Sequence, residues 1–169
     1  YGFSATILTN ANRYQILSEL NKLRGKLTEK DNLLIYYAGH GTLDQVNMRG
    51  YWQPIDAEEG NTANWISTLD VTDMLNVMSA KELLVIADSC YSGAMTRSSV
   101  PNLQAGMSDE KRVYWLKQMA GKRSRTVLTS GGLGPVLDAG GGGHSVFSKA
   151  LLDVLGSNSD ILEGQKLYR

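Results

Sequence analysis

The only cysteine of the chain, Cys90, follows the aliphatic run LLVIA at 83–87, and His40 follows a second apolar run, LLIYYA at 33–38. Short apolar runs that contain β-branched residues and end near glycine are typical of interior strands of a parallel sheet. Open sheets of this kind bind their ligands beyond the carboxyl ends of the strands. If the two strands are neighbours, a thiol and an imidazole emerge at the same edge, within reach of each other.

A thiol beside an imidazole is suited to acyl transfer. Cysteine is a strong nucleophile once a nearby imidazole shifts it toward thiolate, and the imidazole can then protonate a departing amine. Gly41 has no side chain, so its backbone N–H can approach a substrate and, with the N–H of Cys90, hold the oxyanion of a tetrahedral intermediate. No third residue that would orient His40 is evident, so the sequence predicts a dyad of Cys90 and His40.

Asp88 stands two residues before Cys90, and the two-residue period of a strand puts both on the same side. A carboxylate at that position would line the pocket beside the nucleophile and select a basic side chain by charge-assisted pairing. The alternative is that Asp88 accepts backbone hydrogen bonds and shapes the cysteine loop.

Hydrophobic periodicity and capping residues predict an α/β order with a mainly parallel sheet. The stretch 42–64 is turn-rich and is interpreted as a long loop that can hold a short hairpin, and a glycine-laden loop follows the last strand. The predicted strands are at 2–8, 33–38, 83–87 and 125–130. Helices are predicted to begin at Asn10, at Ser67 or Thr68, and at His144 or Ser145, and a further helix is predicted to run through Val113, Tyr114 and Leu116.

Size and composition exclude several classes of function. A chain of 169 residues has the size of one domain. Seventeen basic and seventeen acidic residues leave no global field that would gather nucleic acid or an anionic membrane. One cysteine cannot form an internal disulfide, and no signal-peptide pattern or membrane-spanning run is present. These observations predict a cytoplasmic protein without nucleic-acid or membrane partners.

Two motifs resemble those of the caspase-like cysteine peptidases, in particular metacaspases and bacterial caspase-like proteins (orthocaspases). The motifs are YYAGHG at 36–41 and DSCYSG at 88–93, and RTVLTSGG and GGHSVFSKALL are similar to the later strand and helix of that family. The histidine and the cysteine lie fifty positions apart, as in caspases. The resemblance implies a caspase-like α/β fold with helices on both faces of the sheet. It also implies a single domain over 1–169, which lacks the family's first strand and continues beyond its C-terminus into flanking domains.

The resemblance also implies roles for individual residues. His40 and Cys90 match the catalytic dyad, and Gly41 with Cys90 matches the oxyanion donors. Asp88 matches the acid that binds a P1 arginine or lysine in metacaspases, which implies an endopeptidase acting on protein or peptide substrates after basic residues. Ala38 departs from a serine that many metacaspases carry. The segment AMTRSS after the cysteine motif lacks the aspartate of calcium-dependent members, so no cofactor or metal is expected.

Residues 94–125 occupy the position of a linker that many family members cut in themselves. This segment is rich in basic residues, which would suit an enzyme that cleaves after arginine or lysine. The hypothesis is self-cleavage there, with Arg97, Arg123 and Arg125 as candidate sites.

Rival interpretations of the same residues are less well supported. A catalytically idle caspase-like scaffold that binds partners would not need to keep His40, Cys90 and Gly41. A different α/β hydrolase would carry the GxSxG nucleophile elbow, which is absent. A zinc site of His40, Cys90 and His144 matches no common ligand spacing, and GGGG at 140–143 is not followed by the lysine of a phosphate loop.

Overall fold

Three parallel strands form the centre of the structure, a computed structural model that describes residues 2–89, 113, 123–131 and 143–158. The strand order in this sheet is β1-β5-β6, and three further strands form an antiparallel sheet in the order β2-β3-β4. The elements are α1 (Arg13–Lys26), β1 (Asn32–Ala38), β2 (His40–Asp44), β3 (Arg49–Gln53), a 3-10 turn (Thr62–Asn64), β4 (Ile66–Ser67), α2 (Thr68–Asn76), β5 (Glu82–Asp88), β6 (Ser124–Thr129) and α3 (Val146–Ser157).

The central strand β5 is buried on both faces, as its uninterrupted apolar sequence predicts. Leu83, Val85 and Ala87 join a core cluster with residues of α1 and α2. On the other face, Ile86 packs with Leu151 of α3 in a second cluster. This arrangement confirms the predicted α/β class with a mainly parallel sheet and helices on both faces.

The segment 42–64 contains the hairpin that its turn-rich sequence allows. Strand β2 starts at His40, with only Gly39 between it and the end of β1, and pairs antiparallel with β3. The connecting turn is fixed by two side chains, since Asp44 accepts from the N–H of Val46 and Asn47 accepts from the N–H of Arg49, both at 2.9 Å. The hairpin begins at the candidate catalytic histidine, so it positions the backbone of that residue.

The predicted strand at 2–8 is wrong. These residues have no strand assignment, and Phe3, Ile7 and Leu8 are exposed. The apolar pattern of this segment is compatible with a strand, but a strand forms only where another strand satisfies its backbone groups, and none of the described strands pairs with it.

Helix α1 begins two residues later than predicted. Asn12 is its N-cap, and it forms a capping box in which its side chain accepts from the N–H of Gln15 at 2.8 Å. The Gln15 side chain accepts from the N–H of Asn12 at 2.9 Å. Asn10, the predicted cap, has a φ of 49° and lies outside the helix.

The caps of the other two helices follow the prediction. Ser67 caps α2 and Ser145 caps α3, each by accepting from a backbone N–H of the first turn. The predicted helix around Val113 lies outside the described residues, except for Val113 itself, which is helical.

Candidate active site

The predicted meeting of two strand ends is present in the sheet. Strand β1 pairs directly with β5 in parallel, and their last residues, Ala38 and Asp88, are partners in the register. His40 follows Ala38 by two residues, so His40 and Asp88 reach the same edge. Cys90, the predicted nucleophile, lies outside the described residues.

A cavity of about 610 Å³ opens at this edge, between the β1–β5 face and α3. We call it the strand-end cavity. Its polar end is formed by His40, Asp88, His144, Ser145 and Ser148, and its other end is aliphatic, with Leu34, Ile86, Leu151 and Leu155. The structure therefore brings the predicted acid and the predicted histidine to one cavity.

Three hydroxyl groups converge on the Asp88 carboxylate. Its Oδ2 accepts hydrogen bonds from Ser145 Oγ at 2.5 Å, from Ser148 Oγ at 2.6 Å and from Tyr36 Oη at 3.1 Å. Partial burial acts to raise the pKa of Asp88, but the hydroxyls of Ser145, Ser148, Ser130 and Tyr36 outweigh it and lower that pKa. Hydroxyl donors thus keep the carboxyl group ionised.

Ser130 lowers the pKa of Asp88 because its hydroxyl lies close to the carboxylate. Its buried hydroxyl has no hydrogen-bond partner of standard geometry among the described residues, although it lies near enough to Asp88 to lower the pKa of that group. No lysine or arginine in 2–89, 123–131 or 143–158 forms an ion pair with Asp88. The negative charge is therefore stabilised by neutral groups and is not neutralised within this part of the chain.

Tyr36 links the two sides of this cluster. Its Oη lies 2.5 Å from Ser148 Oγ as well as 3.1 Å from Asp88. Burial raises the pKa of Tyr36, the hydrogen bond with Ser148 opposes that rise, and the charge of Asp88 adds to it. The phenol consequently remains a protonated donor at neutral pH.

The backbone of His40 is held by a packed aromatic pair. Tyr37 Oη donates to the His40 carbonyl oxygen at 2.7 Å, and the Tyr37 ring stacks on Trp52 with centroids 4.1 Å apart and planes 8° apart. Burial raises the pKa of Tyr37 to about 12, although a backbone N–H of Gln53 opposes that rise. Tyr37 is therefore a fixed hydroxyl donor beside the histidine.

Gly39 is required here by space. A Cβ atom at Gly39 would lie 2.8 Å from Tyr37 Oη and 3.0 Å from Tyr37 Cζ. The glycine before the histidine thus lets the backbone between β1 and β2 pass directly against the Tyr37 ring. Gly41 lies within β2 opposite Trp52. The oxyanion role predicted for Gly41 also needs the N–H of Cys90, which is outside the described part of the chain.

The three predicted self-cleavage positions have different surroundings. Arg97 lies outside the described residues. Arg123 precedes β6, its side chain is about half exposed, and it forms an ion pair with Glu29. Arg125 lies within β6, and its guanidinium donates to the carbonyl oxygens of Met78, Ala80, Lys81 and Ser124 at 2.8–3.2 Å. Cleavage after Arg125 would require β6 to leave the sheet. Cleavage after Arg123 would require release only of the first residue of that strand, Ser124, whose N–H donates to the carbonyl oxygen of Lys81 at 3.2 Å.

Sequence reasoning did not find the roles of Tyr36 and Ser148, and it assigned Ser145 only as a helix cap. One signal for Tyr36 was present, since a two-residue period puts it on the same face of β1 that Asp88 occupies on β5. No sequence signal placed the first turn of α3 over that face, because this contact joins residues about sixty positions apart.

Two negative findings hold for the described residues. No group of three or more His, Cys, Asp and Glu side chains among them could hold a metal ion. His40 and His144 line the same cavity, and Cys90, the third residue of the zinc site considered from the sequence, lies outside the described residues. None of the described helices is sufficiently long and apolar to cross a membrane.

A comparison with known protein families gave a match over nearly the whole chain. The family model described as the caspase domain, Peptidase C14, matches residues 1–168. A search of curated proteins gave no match. The matched range contains both strand ends, the hairpin and α3, and it also covers the segments that the structure does not describe.

Proposed function

Because the chain belongs to the caspase-domain family, Peptidase C14, we propose that it is a cysteine endopeptidase that hydrolyses peptide bonds after arginine or lysine. The proposal assigns the chemistry to Cys90 and His40 and the choice of the P1 residue to Asp88. It requires neither a metal ion nor an organic cofactor.

The proposed reaction has two steps. The Cys90 thiolate attacks the carbonyl carbon after P1, and the backbone N–H groups of Gly41 and Cys90 stabilise the oxyanion. His40 gives its proton to the leaving amine as the C–N bond breaks, which leaves an acyl-enzyme. Water then attacks the thioester carbonyl, His40 accepts the proton of that water, and Cys90 leaves as thiolate.

The charge at the strand-end cavity is the observation that supports the choice of a basic P1 residue. Asp88 shares this cavity with His40, hydroxyl donors keep it ionised, and no described lysine or arginine pairs with it. An ionised carboxylate that no described lysine or arginine neutralises attracts a substrate cation and repels an acidic P1 side chain. The environment of Asp88 thus favours arginine or lysine over aspartate.

The test is hydrolysis of fluorogenic peptides that differ only at P1, with Arg, Lys, Gln or Asp. The native protein should cleave the Arg and Lys peptides, with or without calcium, and Cys90→Ala should cleave none. Asp88→Asn should lose most of its preference for Arg and Lys over Gln. The matched control is Asp153→Asn, which removes an exposed aspartate of α3 whose only described ion pair is with Lys149.

Two results would contradict the proposal. Turnover of an Arg or Lys peptide by Cys90→Ala at the native rate would exclude Cys90 as the nucleophile. An Asp88→Asn protein that kept the native preference for basic residues would exclude Asp88 as the selecting group. Absence of cleavage of all four peptides would favour the idle scaffold instead.

A further inference from the structure

The hydrogen bonds that the described residues make to Asp88 are distributed unequally between its two carboxylate oxygens. Those from Tyr36, Ser145 and Ser148 all end on Oδ2. A carboxylate oxygen offers about two lone-pair directions, so two short bonds and a third at 3.1 Å fill Oδ2. A further donor can reach Oδ2 only by displacing a hydroxyl.

The available protons can be counted. Tyr36, Ser145 and Ser148 each have one hydroxyl proton. Ser145 and Ser148 make the two short bonds to Asp88, at 2.5 and 2.6 Å. Tyr36 gives its proton either to Ser148, 2.5 Å away, or to Asp88. Each of these three hydroxyl protons therefore has an acceptor before any substrate binds.

The first turn of α3 fixes this arrangement. Ser145 Oγ accepts from the backbone N–H of Ser148 at 2.9 Å as the helix cap, which leaves its proton for Asp88. The Ser145 hydroxyl therefore caps the helix and also holds the carboxylate, whereas Ser148 gives its backbone N–H to the cap and its hydroxyl to the carboxylate. Turning the Ser145 hydroxyl away from Oδ2 would disturb the capped turn.

We propose that Tyr36, Ser145 and Ser148 are positioning residues for P1 selection, which fill Oδ2 and leave Oδ1 as the contact for the substrate cation. The inference rests on the proposed function, because it concerns the P1 residue of that same site. A guanidinium gains most from a fork-to-fork pairing with both carboxylate oxygens, whereas an ammonium is a point donor that needs only one. The site consequently accepts lysine at least as well as arginine, and loss of one hydroxyl shifts it toward arginine.

The experiment compares kcat/KM for two peptides that differ only in having Lys or Arg at P1. In the native protein the Arg/Lys ratio should be about one or lower. Ser148→Ala removes one donor from Asp88 Oδ2, so that a P1 arginine can make one more charge-assisted hydrogen bond to that oxygen. This bond should raise the Arg/Lys ratio about tenfold. Tyr36→Phe should raise it less, because its bond to Asp88 is the longest of the three.

Two further variants separate positioning from a structural role. Ser148→Thr keeps the hydroxyl group and should restore the native ratio. Ser157→Ala removes a hydroxyl at the far end of the same helix, and among the described residues this hydroxyl donates only to the carbonyls of Asp153 and Val154. This substitution should leave the ratio unchanged. Destabilisation of the fold would lower the rates with both peptides together, so it would not move the ratio.

The outcomes distinguish this inference from the proposed function. Cleavage after basic residues that depends on Asp88, with an Arg/Lys ratio well above one in the native protein and unchanged in Ser148→Ala, would overturn the inference and leave the proposed function intact. Absence of any cleavage after Arg or Lys would overturn both.

Discussion

Substitution of Gly39 by alanine tests how tightly the candidate histidine is held. The new Cβ would lie 2.8 Å from Tyr37 Oη and 3.0 Å from Cζ, whereas favourable carbon contacts lie at about 3.5–4.0 Å. Either the ring or the backbone must therefore move by roughly 0.5–0.7 Å to lengthen those contacts to about 3.5 Å. The ring resists, because it stacks on Trp52 at 4.1 Å and donates to the His40 carbonyl at 2.7 Å.

The expected cost follows from these contacts. Overpacking of this kind costs about 1–3 kcal/mol, and loss of the hydrogen bond to His40 adds about 1 kcal/mol. We expect Gly39→Ala to lower the free energy of unfolding by about 2–4 kcal/mol, the sum of these two costs. We also expect a lower kcat, because a misplacement of about 1 Å in a catalytic group costs roughly a hundredfold in rate.

Urea unfolding at 25 °C measures the stability, and the peptide assay measures kcat. Gly156→Ala is the matched control, since a Cβ there would meet nothing within 4 Å and alanine in a helix should stabilise by about 0.5–1 kcal/mol. Combining Gly39→Ala with Tyr37→Phe removes the nearest clashing atom, so the double variant should lose less stability than the sum of the single variants. If the free energy of unfolding of Gly39→Ala lies within about 0.5 kcal/mol of that of the native protein, the argument that a Cβ at position 39 comes too close to the Tyr37 ring is refuted.

Three other predictions concern Arg125, self-cleavage and Asp88. Arg125→Lys should lower the free energy of unfolding by about 1–3 kcal/mol in urea titrations, because an ammonium cannot replace a guanidinium that donates to four carbonyls; unchanged stability would contradict this. Intact-mass analysis after incubation should show self-cleavage after Arg97 or Arg123 and no fragment ending at Arg125, which lies inside β6. The folded-state pKa of Asp88 is lowered, so its charge contributes stability that is fully present above its unfolded pKa of about 3.9 and is lost as the pH falls through the lower folded value. The difference in free energy of unfolding between the native protein and Asp88→Asn should therefore be constant above about pH 5 and shrink below about pH 4. A difference that grew on acidification would contradict a lowered pKa of Asp88 in the folded state.

The sequence was sufficient to predict features that depend on local chemistry. Continuous apolar runs predicted β1 and β5, and the serines before the last two helices predicted their caps. The wrong N-cap of α1 could have been avoided from the sequence. Asn12 is followed three residues later by Gln15 and so fits the capping box, whereas Asn10 is followed at that spacing by Arg13.

The features that the sequence did not reveal depend on tertiary contacts. Residues 2–8 have an apolar pattern, but a pattern does not supply a partner strand. The hydroxyl groups around Asp88 come from β1 and the start of α3, and only the packed fold brings them to the end of β5. The space requirement at Gly39 likewise depends on the position of the Tyr37 ring.

The parallel pairing of β1 with β5 has a consequence for the order of folding. It joins residues fifty positions apart in sequence, such as Asn32 and Glu82, while the β2–β3 hairpin closes through a turn at 45–48. Hairpins form in about 1–10 μs, whereas contacts between distant residues form more slowly because a long loop must be closed first. We expect His40 to be in its hairpin well before Asp88 arrives beside β1. A newly made chain therefore passes through a period in which the strand-end cavity does not yet exist, and the proposed binding of a P1 side chain there must wait until the central sheet is complete.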